Sequence, residues 1–288
     1  MPFTFSHAAA VLPAVRGDGS GRGRLIPAVL VAGSFAPDMT YYAASLLPGA
    51  MRFGDVTHSF AGVLSVDVLV SWGLVGLWLV LREPLVALLP RARQGRWAAL
   101  LRCGAPRARV RPDSVAWWYL SAVLGASTHV VWDAFTHHDR WGVRLFPVLG
   151  RSAAGMPLYS YLQYGCSLVA ALVVVAWVGR AVRRVPMSRP VSQPVGVALL
   201  SARDRWWAAV VIGGCAVAGA AQRALRWWAY WGAVAKPWDL VPTLCFGLGA
   251  GLVPGLLGYA LGVRAWRPAL DAAGPGGDGV RRTRSAAR

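Results

Sequence analysis

Between Ser127 and His138 the chain reads STHVVWDAFTHH, and His129, Asp133 and His137 recur there at intervals of four. On a helix of about 3.6 residues per turn each such step advances the side chain by about 40°, so two imidazoles and a carboxylate share one stripe. Imidazole nitrogens and carboxylate oxygens are the donors a zinc-type ion takes from protein. The plainer reading is a helix end whose polar groups are satisfied by water. What favours chemistry is the setting: Val115 to Ala126 is almost unbroken apolar sequence, and an ionisable group in a membrane segment is costly unless paired, hydrated or metal-bound.

More groups of the same kind stand upstream. All five histidines (His7, His58, His129, His137 and His138) lie in the first half of the chain; Asp38 follows Pro37, and His58 stands in THSF. The candidate metal ligands are therefore His7, Asp38, His58, His129, Asp133 and His137, with Asp38 and Asp133 as candidate catalytic carboxylates. Each has a bland alternative: His7 as an interfacial residue, Asp38 as a turn cap. His138 reads as a solvated loop residue. Asp67 is nine residues beyond His58, about 180° around a regular helix, so it is expected to serve an interhelical or supporting hydrogen bond and not the same metal.

The elements that must position these groups are hydrophobic. The chain has 288 residues, 56% of them apolar and only 15% charged, with a mean hydropathy of +0.46. Stretches of about 20 apolar residues match the hydrocarbon layer of a bilayer, which predicts an all-α, polytopic helical membrane bundle. Five full transmembrane helices are expected, at about 60 to 81, 115 to 135, 159 to 179, 205 to 222 and 239 to 262. Two shorter segments before them, 3 to 15 and LIPAVLVAGSF, are each too short to span with certainty. They predict an N-terminal hairpin of short helices around the basic turn RGDGSGRGR. The organisation expected is a site-bearing core over 1–180, further helices of the same bundle over 181–263, and a disordered basic tail over 264–288.

The formal net charge of +18 does not imply nucleic acid, because the basic residues sit mainly between apolar segments, where they set topology and meet anionic head groups. Segments 82–112, 180–205 and 264–288 carry 8, 6 and 6 arginines, whereas 136–158 and 223–238 carry 3 basic residues each. The positive-inside rule then places the first three, and the C-terminus, in the cytoplasm of a plasma-membrane protein. His7, Asp38, His58 and the outer end of the 115–135 helix would all face the opposite side. REPLVALLP and the Arg-rich run after it suggest a surface helix. Gly213, Gly214 and Gly219, with Gly247, Gly249, Gly251 and Gly255, suit close helix packing. Four cysteines without CxxC spacing indicate neither a disulfide framework nor a thiolate site. The first residues lack the basic start of a signal peptide, so they are taken as part of the mature chain.

Five ordered motifs resemble an uncharacterised bacterial integral-membrane family: MPFTxSHxA at Met1 to Ala8, GSxxPD at Gly33 to Asp38, HS at His58-Ser59, HxxxDxxTH at His129 to His137 and REPLxxxLP at Arg82 to Pro90. That family is similar to membrane-bound metal-dependent hydrolases and, more distantly, to zinc-dependent bacterial phospholipases C and fungal zinc nucleases. The resemblance implies that Asp38, His58, His129 and Asp133 ligate one metal, while His7, with Asp133 bridging, holds a second. The sequence has Tyr164 where the family pattern often has histidine, and lacks the later HxxxE of the soluble enzymes, so a three-metal site is not expected.

Together these readings predict hydrolysis at the outer membrane face with one or two zinc-type ions, on a phosphoester of a lipid or lipid-linked head group. Asp38 and Asp133 would ligate or accept a proton, His137 would complete the shell, and Trp132, Phe135 and Trp141 would form either an apolar wall or an interfacial belt. Two rival classes use the same residues. A proton-coupled carrier would need polar groups near mid-membrane with access from both sides. A non-catalytic protein would hold a structural metal in a closed site.

Overall fold

The computed structural model describes residues 3–47, 49–104, 112–186, 194–234 and 240–267. Within them the chain is almost wholly helical, apart from a two-residue antiparallel hairpin that pairs Ser152 with Pro157 and Ala153 with Met156. Four helices are long and apolar enough to cross a membrane: Val66–Leu88, Leu158–Arg184, Ala202–Trp231 and Leu240–Trp266. The protein is a multi-pass helical membrane protein.

In chain order the helices are α1 (Ala8–Val11), α2 (Pro27–Phe35), α3 (Met39–Ala43), α4 (Gly54–Thr57), α5 (Phe60–Leu64), α6 (Val66–Leu88), α7 (Arg91–Leu100), α8 (Pro112–Thr136), α9 (Trp141–Leu145), α10 (Leu158–Arg184), α11 (Ala202–Trp231) and α12 (Leu240–Trp266). Tight 3₁₀ turns at Thr4–His7, Leu12–Ala14 and Ala36–Asp38 extend the short N-terminal helices. The hairpin expected there is present: the turn closes with Arg16 N donating to Ser20 O at 2.7 Å, and α1 and α2 pack on each other.

The segment predicted as a fifth span is the helix α8, which is not one of the four spanning helices. Ser121, Ser127, Thr128, His129 and Asp133 lower its hydropathy, and it lies against α2, α5 and α6. Ser121, Ala122, Ala126, His129, Asp133 and Ala134 on it are buried. The helix that carries His129 and Asp133 is thus sheathed by others over much of its surface.

Glycines decide how close α2 and α8 come. A Cβ on Gly125 would collide with the Leu30 carbonyl and the Ser34 amide, and one on Gly33 with the Ala122 carbonyl. The same device joins α11 and α12, where side chains on Gly219, Gly247 or Gly251 would strike the facing backbone. Gly213 and Gly214, expected to do likewise, face open space.

Other expectations shift by a turn or more. Pro84 lies inside α6, so REPL continues the helix, and α7 is the surface helix foreseen after it. A proline has no N–H to give the carbonyl four residues back, and the orphaned Val80 oxygen accepts from Arg264 Nη2 at 2.7 Å. Arg264 also meets Glu83, which pairs with Arg82 at 2.6 Å. The loop expected from 223 is helical to Trp231. Its Arg223 donates to Tyr41 O at 2.6 Å and to Ser45 Oγ at 2.8 Å, so α11 holds the end of α3. The tail expected from 264 is helical to Trp266, and past residue 267 it lies outside the described residues.

Candidate metal centre

Each side chain reaches the centre because its local backbone turns it there. Asp38 ends the Pro37 turn after α2, and Thr4 Oγ1 donates to its Oδ2 at 2.6 Å, which leaves Oδ1 facing inward. His58 sits at the corner between α4 and α5. Ser59 caps α5 by accepting from Gly62 N at 3.0 Å, and Thr57 Oγ1 donates to the Pro37 carbonyl at 2.8 Å, which ties that corner to the Asp38 turn. His129 and Asp133 come from successive turns of α8.

The two imidazoles are oriented the same way. His129 Nδ1 lies 2.7 Å from the Ser34 carbonyl and His58 Nδ1 2.9 Å from the Gly54 carbonyl. A carbonyl only accepts, so both rings carry a proton on Nδ1 and turn Nε2 to the centre, where a bound metal would take its lone pair. This is how ligating histidines are held in metal proteins.

Four atoms meet there. His129 Nε2 is 3.5 Å from Asp38 Oδ1 and 3.4 Å from Asp133 Oδ2; His58 Nε2 is 3.8 and 3.7 Å from the same oxygens. Those separations exceed a good hydrogen bond, and His129 Nε2 is buried with no hydrogen-bond partner among the described residues. Ligands about 2.0–2.2 Å from a tetrahedral ion stand roughly 3.3–3.6 Å from one another. Asp38, His58, His129 and Asp133 therefore form a buried group that can hold a metal ion. Burial alone would push the Asp38 carboxyl up; without a metal, the charge of a protonated His129 beside it holds it below the usual carboxylate range instead.

His7 and His137 flank this group without belonging to it. His7 Nε2 is 3.5 Å from Asp133 Oδ1, the oxygen turned away from the other ligands, and its ring stacks on His129. Burial, then the neighbouring His129, holds the His7 imidazole well below its ordinary value of 6.5. His137 lies just past the end of α8; its Nδ1 is 3.4 Å from Asp133 Oδ2, and its Nε2 lies 2.9 Å from the Gln163 amide nitrogen on α10. With its side chain 32% exposed, it forms the rim of the site.

A family described as a domain of unknown function (DUF4184) matches residues 1–260. The chain belongs to that family. No curated protein and no solved structure matches it. DUF4184 carries no activity in its description, so a chemical reading of this member rests on the centre itself.

Several neighbours of the centre were not singled out from sequence. Thr4 and Ser34 fall inside the motifs MPFTxSHxA and GSxxPD, and Gln163 in LYSYLQ, but Gly54 gives no chemical signal in the sequence: it supplies a carbonyl, and its missing side chain makes room for the Tyr41 ring. Tyr41 was also missed: its ring lies 5.6 Å from that of His58, and burial pushes its hydroxyl up to about 12, so it stays a donor. Trp132 packs edge-on to His7 at 6.4 Å, while Phe135 and Trp141 pack on each other at 5.3 Å. His138 is exposed and pairs with Asp139. Asp67 is buried, and it departs from expectation: neither carboxylate oxygen has a hydrogen-bond partner among the described residues.

Proposed function

We propose that this DUF4184 protein is a metal-dependent hydrolase of phosphoesters in lipid or lipid-linked head groups, working at the outer face of the plasma membrane with its C-terminus in the cytoplasm. The observation that carries the reading is the convergence of two inward Nε2 lone pairs and two carboxylate oxygens, each braced from behind by a carbonyl, a hydroxyl or the helix itself. The arginine distribution supports the sidedness.

Asp38, His58, His129 and Asp133 would hold a zinc-type ion. When bound, such an ion supplies Lewis acidity, which lowers the pKa of water from about 15.7 to about 7 and polarises a phosphoryl oxygen. The chain's own residues do the rest. Asp133 Oδ1, directed at neutral His7, takes the proton of the attacking water and shares it with His7 Nε2. Neutral His137 at the rim orients the ester oxygen, whose P–O bond breaks as the new one forms and which leaves with the proton taken from the water. Thr4 and Tyr42, joined by a 3.0 Å hydrogen bond, keep Asp38 Oδ2 out of the reaction.

Four protein ligands, all buried, also favour a second reading: a structural cation that pins the N-terminal hairpin to α8. Turnover separates the two. Purified protein should release phosphate ester products from phospholipid or a chromogenic phosphodiester, lose that activity to a chelator and regain it with zinc. A protein that binds zinc tightly yet turns over neither substrate class would favour the structural role.

A further inference from the structure

The short N-terminal helices and α10 leave a cleft of about 590 Å³ between them, bordered by Ala9 and Leu12 on one side and Val173, Ala176, Trp177 and Arg180 on the other. Its lining is apolar except at one end. α10 is one of the four helices fit to span a membrane, so the cleft opens onto hydrocarbon. Arg180 closes it four residues before the end of α10, seventeen residues, or about 25 Å, from the Gln163 that meets His137.

That end is basic on more than one element. Arg180, Arg183 and Arg184 are exposed on the last turn of α10, and exposed Arg16 opens the turn that packs on it; a Cβ on Gly17 would lie 2.8 Å from an Arg184 guanidinium nitrogen. The acidic residue of that turn, Asp18, is engaged by the Ser20 amide at 2.9 Å and hydroxyl at 2.7 Å. An apolar furrow of membrane depth ending in arginines matches a molecule with a hydrocarbon chain and an anionic head.

We propose that this cleft is a binding site for an anionic phospholipid of the leaflet at the Arg180 end, with one acyl chain along Ala176 and Trp177 and its phosphate on Arg180. The bound lipid wedges the N-terminal hairpin, and with it His7, against α10. It is not the substrate, since its head group sits at the far end of the helix from His137.

Native mass spectrometry of the full chain in mixed micelles tests this, with phosphatidylglycerol and phosphatidylcholine of equal chain length as probes. The expected result is a single retained phosphatidylglycerol preferred over phosphatidylcholine. Arg180→Ala should weaken that retention roughly fivefold, the worth of one arginine at an anionic surface, while Arg180→Lys preserves most of it. Ala176→Trp, which fills the furrow, should abolish it. Equal retention of the two lipids by the wild-type chain, or undiminished phosphatidylglycerol in Ala176→Trp, would overturn the proposal. The wild-type comparison decides even if a variant fails to fold. Zinc content, measured on the same samples, reads the metal centre separately.

Discussion

The rings of His7 and His129 lie face to face, centroids 3.6 Å apart and planes within 10°. Two protonated imidazoles would not tolerate that distance, so at least one must be neutral. Burial makes it His7, whose pKa is held well below 6.5. The unfolded chain binds a proton there at about 6.5; the folded chain does not until far lower pH. His7 therefore costs stability as pH falls below about 6.5 towards its lowered folded value, and costs nothing above it. In ¹⁵N-histidine spectra at pH 5 the His7 ring should still be neutral; a His7 signal that titrates near 6.5 would contradict the stacking.

The Ser34 carbonyl reaches His129 only because Gly125 lets α2 lie against α8. Gly125→Ala should destabilise the protein by about 1–3 kcal/mol, the usual cost of overpacking, and lower metal affinity with it. Gly73→Ala, where a Cβ meets nothing within 4 Å, should leave stability the same or slightly higher. Thermal unfolding of the two variants in one detergent compares them directly.

Thr4 braces Asp38 and Thr57 braces the His58 corner, yet neither would touch a metal. Thr4→Val and Thr57→Val should each weaken zinc affinity by about 10–100-fold, as losses behind a ligand commonly do. Thr4→Ser, which restores the hydroxyl, should recover most of it. Competition against a chromogenic chelator reads these changes; unchanged affinity in both valine variants would mean the carboxylate and imidazole need no support.

Arg264 fills the acceptor that Pro84 orphans. Arg264→Ala should cost about 1–3 kcal/mol, the penalty for an unsatisfied acceptor. In a Pro84→Ala background the helix can supply the missing N–H, so the same change should cost less. Equal losses in the two backgrounds would show that Arg264 acts through Glu83 alone.

Much of the centre was legible because its ligands are titratable residues in an apolar chain, and the spacing of His129 and Asp133 fixes them on one face of α8. The same spacing brings His137 only to the edge of the group. α8 has ended by then, and the His137 ring keeps Nδ1 3.4 Å from Asp133 Oδ2 while its Nε2 meets Gln163 instead of the other ligands. What the sequence hides is the work of the backbone. The Ser34 and Gly54 carbonyls that orient the imidazoles belong to no residue type, and the close approach at Gly33 and Gly125 shows only once two helices are paired. The apolar run from Val115 to Ala126 makes α8 read as a span, but the polar residues after it lower its hydropathy, and it is not among the four spanning helices. Asp67, expected to serve a supporting hydrogen bond, has none among the described residues.

The most direct test of the centre is the metal content of purified protein, measured by elemental mass spectrometry after dialysis against zinc, for the wild-type chain and for Asp38→Ala, His58→Ala, His129→Ala and Asp133→Ala. The account predicts tightly held zinc in the wild-type chain and its loss in each of the four variants, with His138→Ala unaffected. A wild-type chain that retains no divalent cation, or His129→Ala and Asp133→Ala proteins that retain as much as wild type, would contradict it.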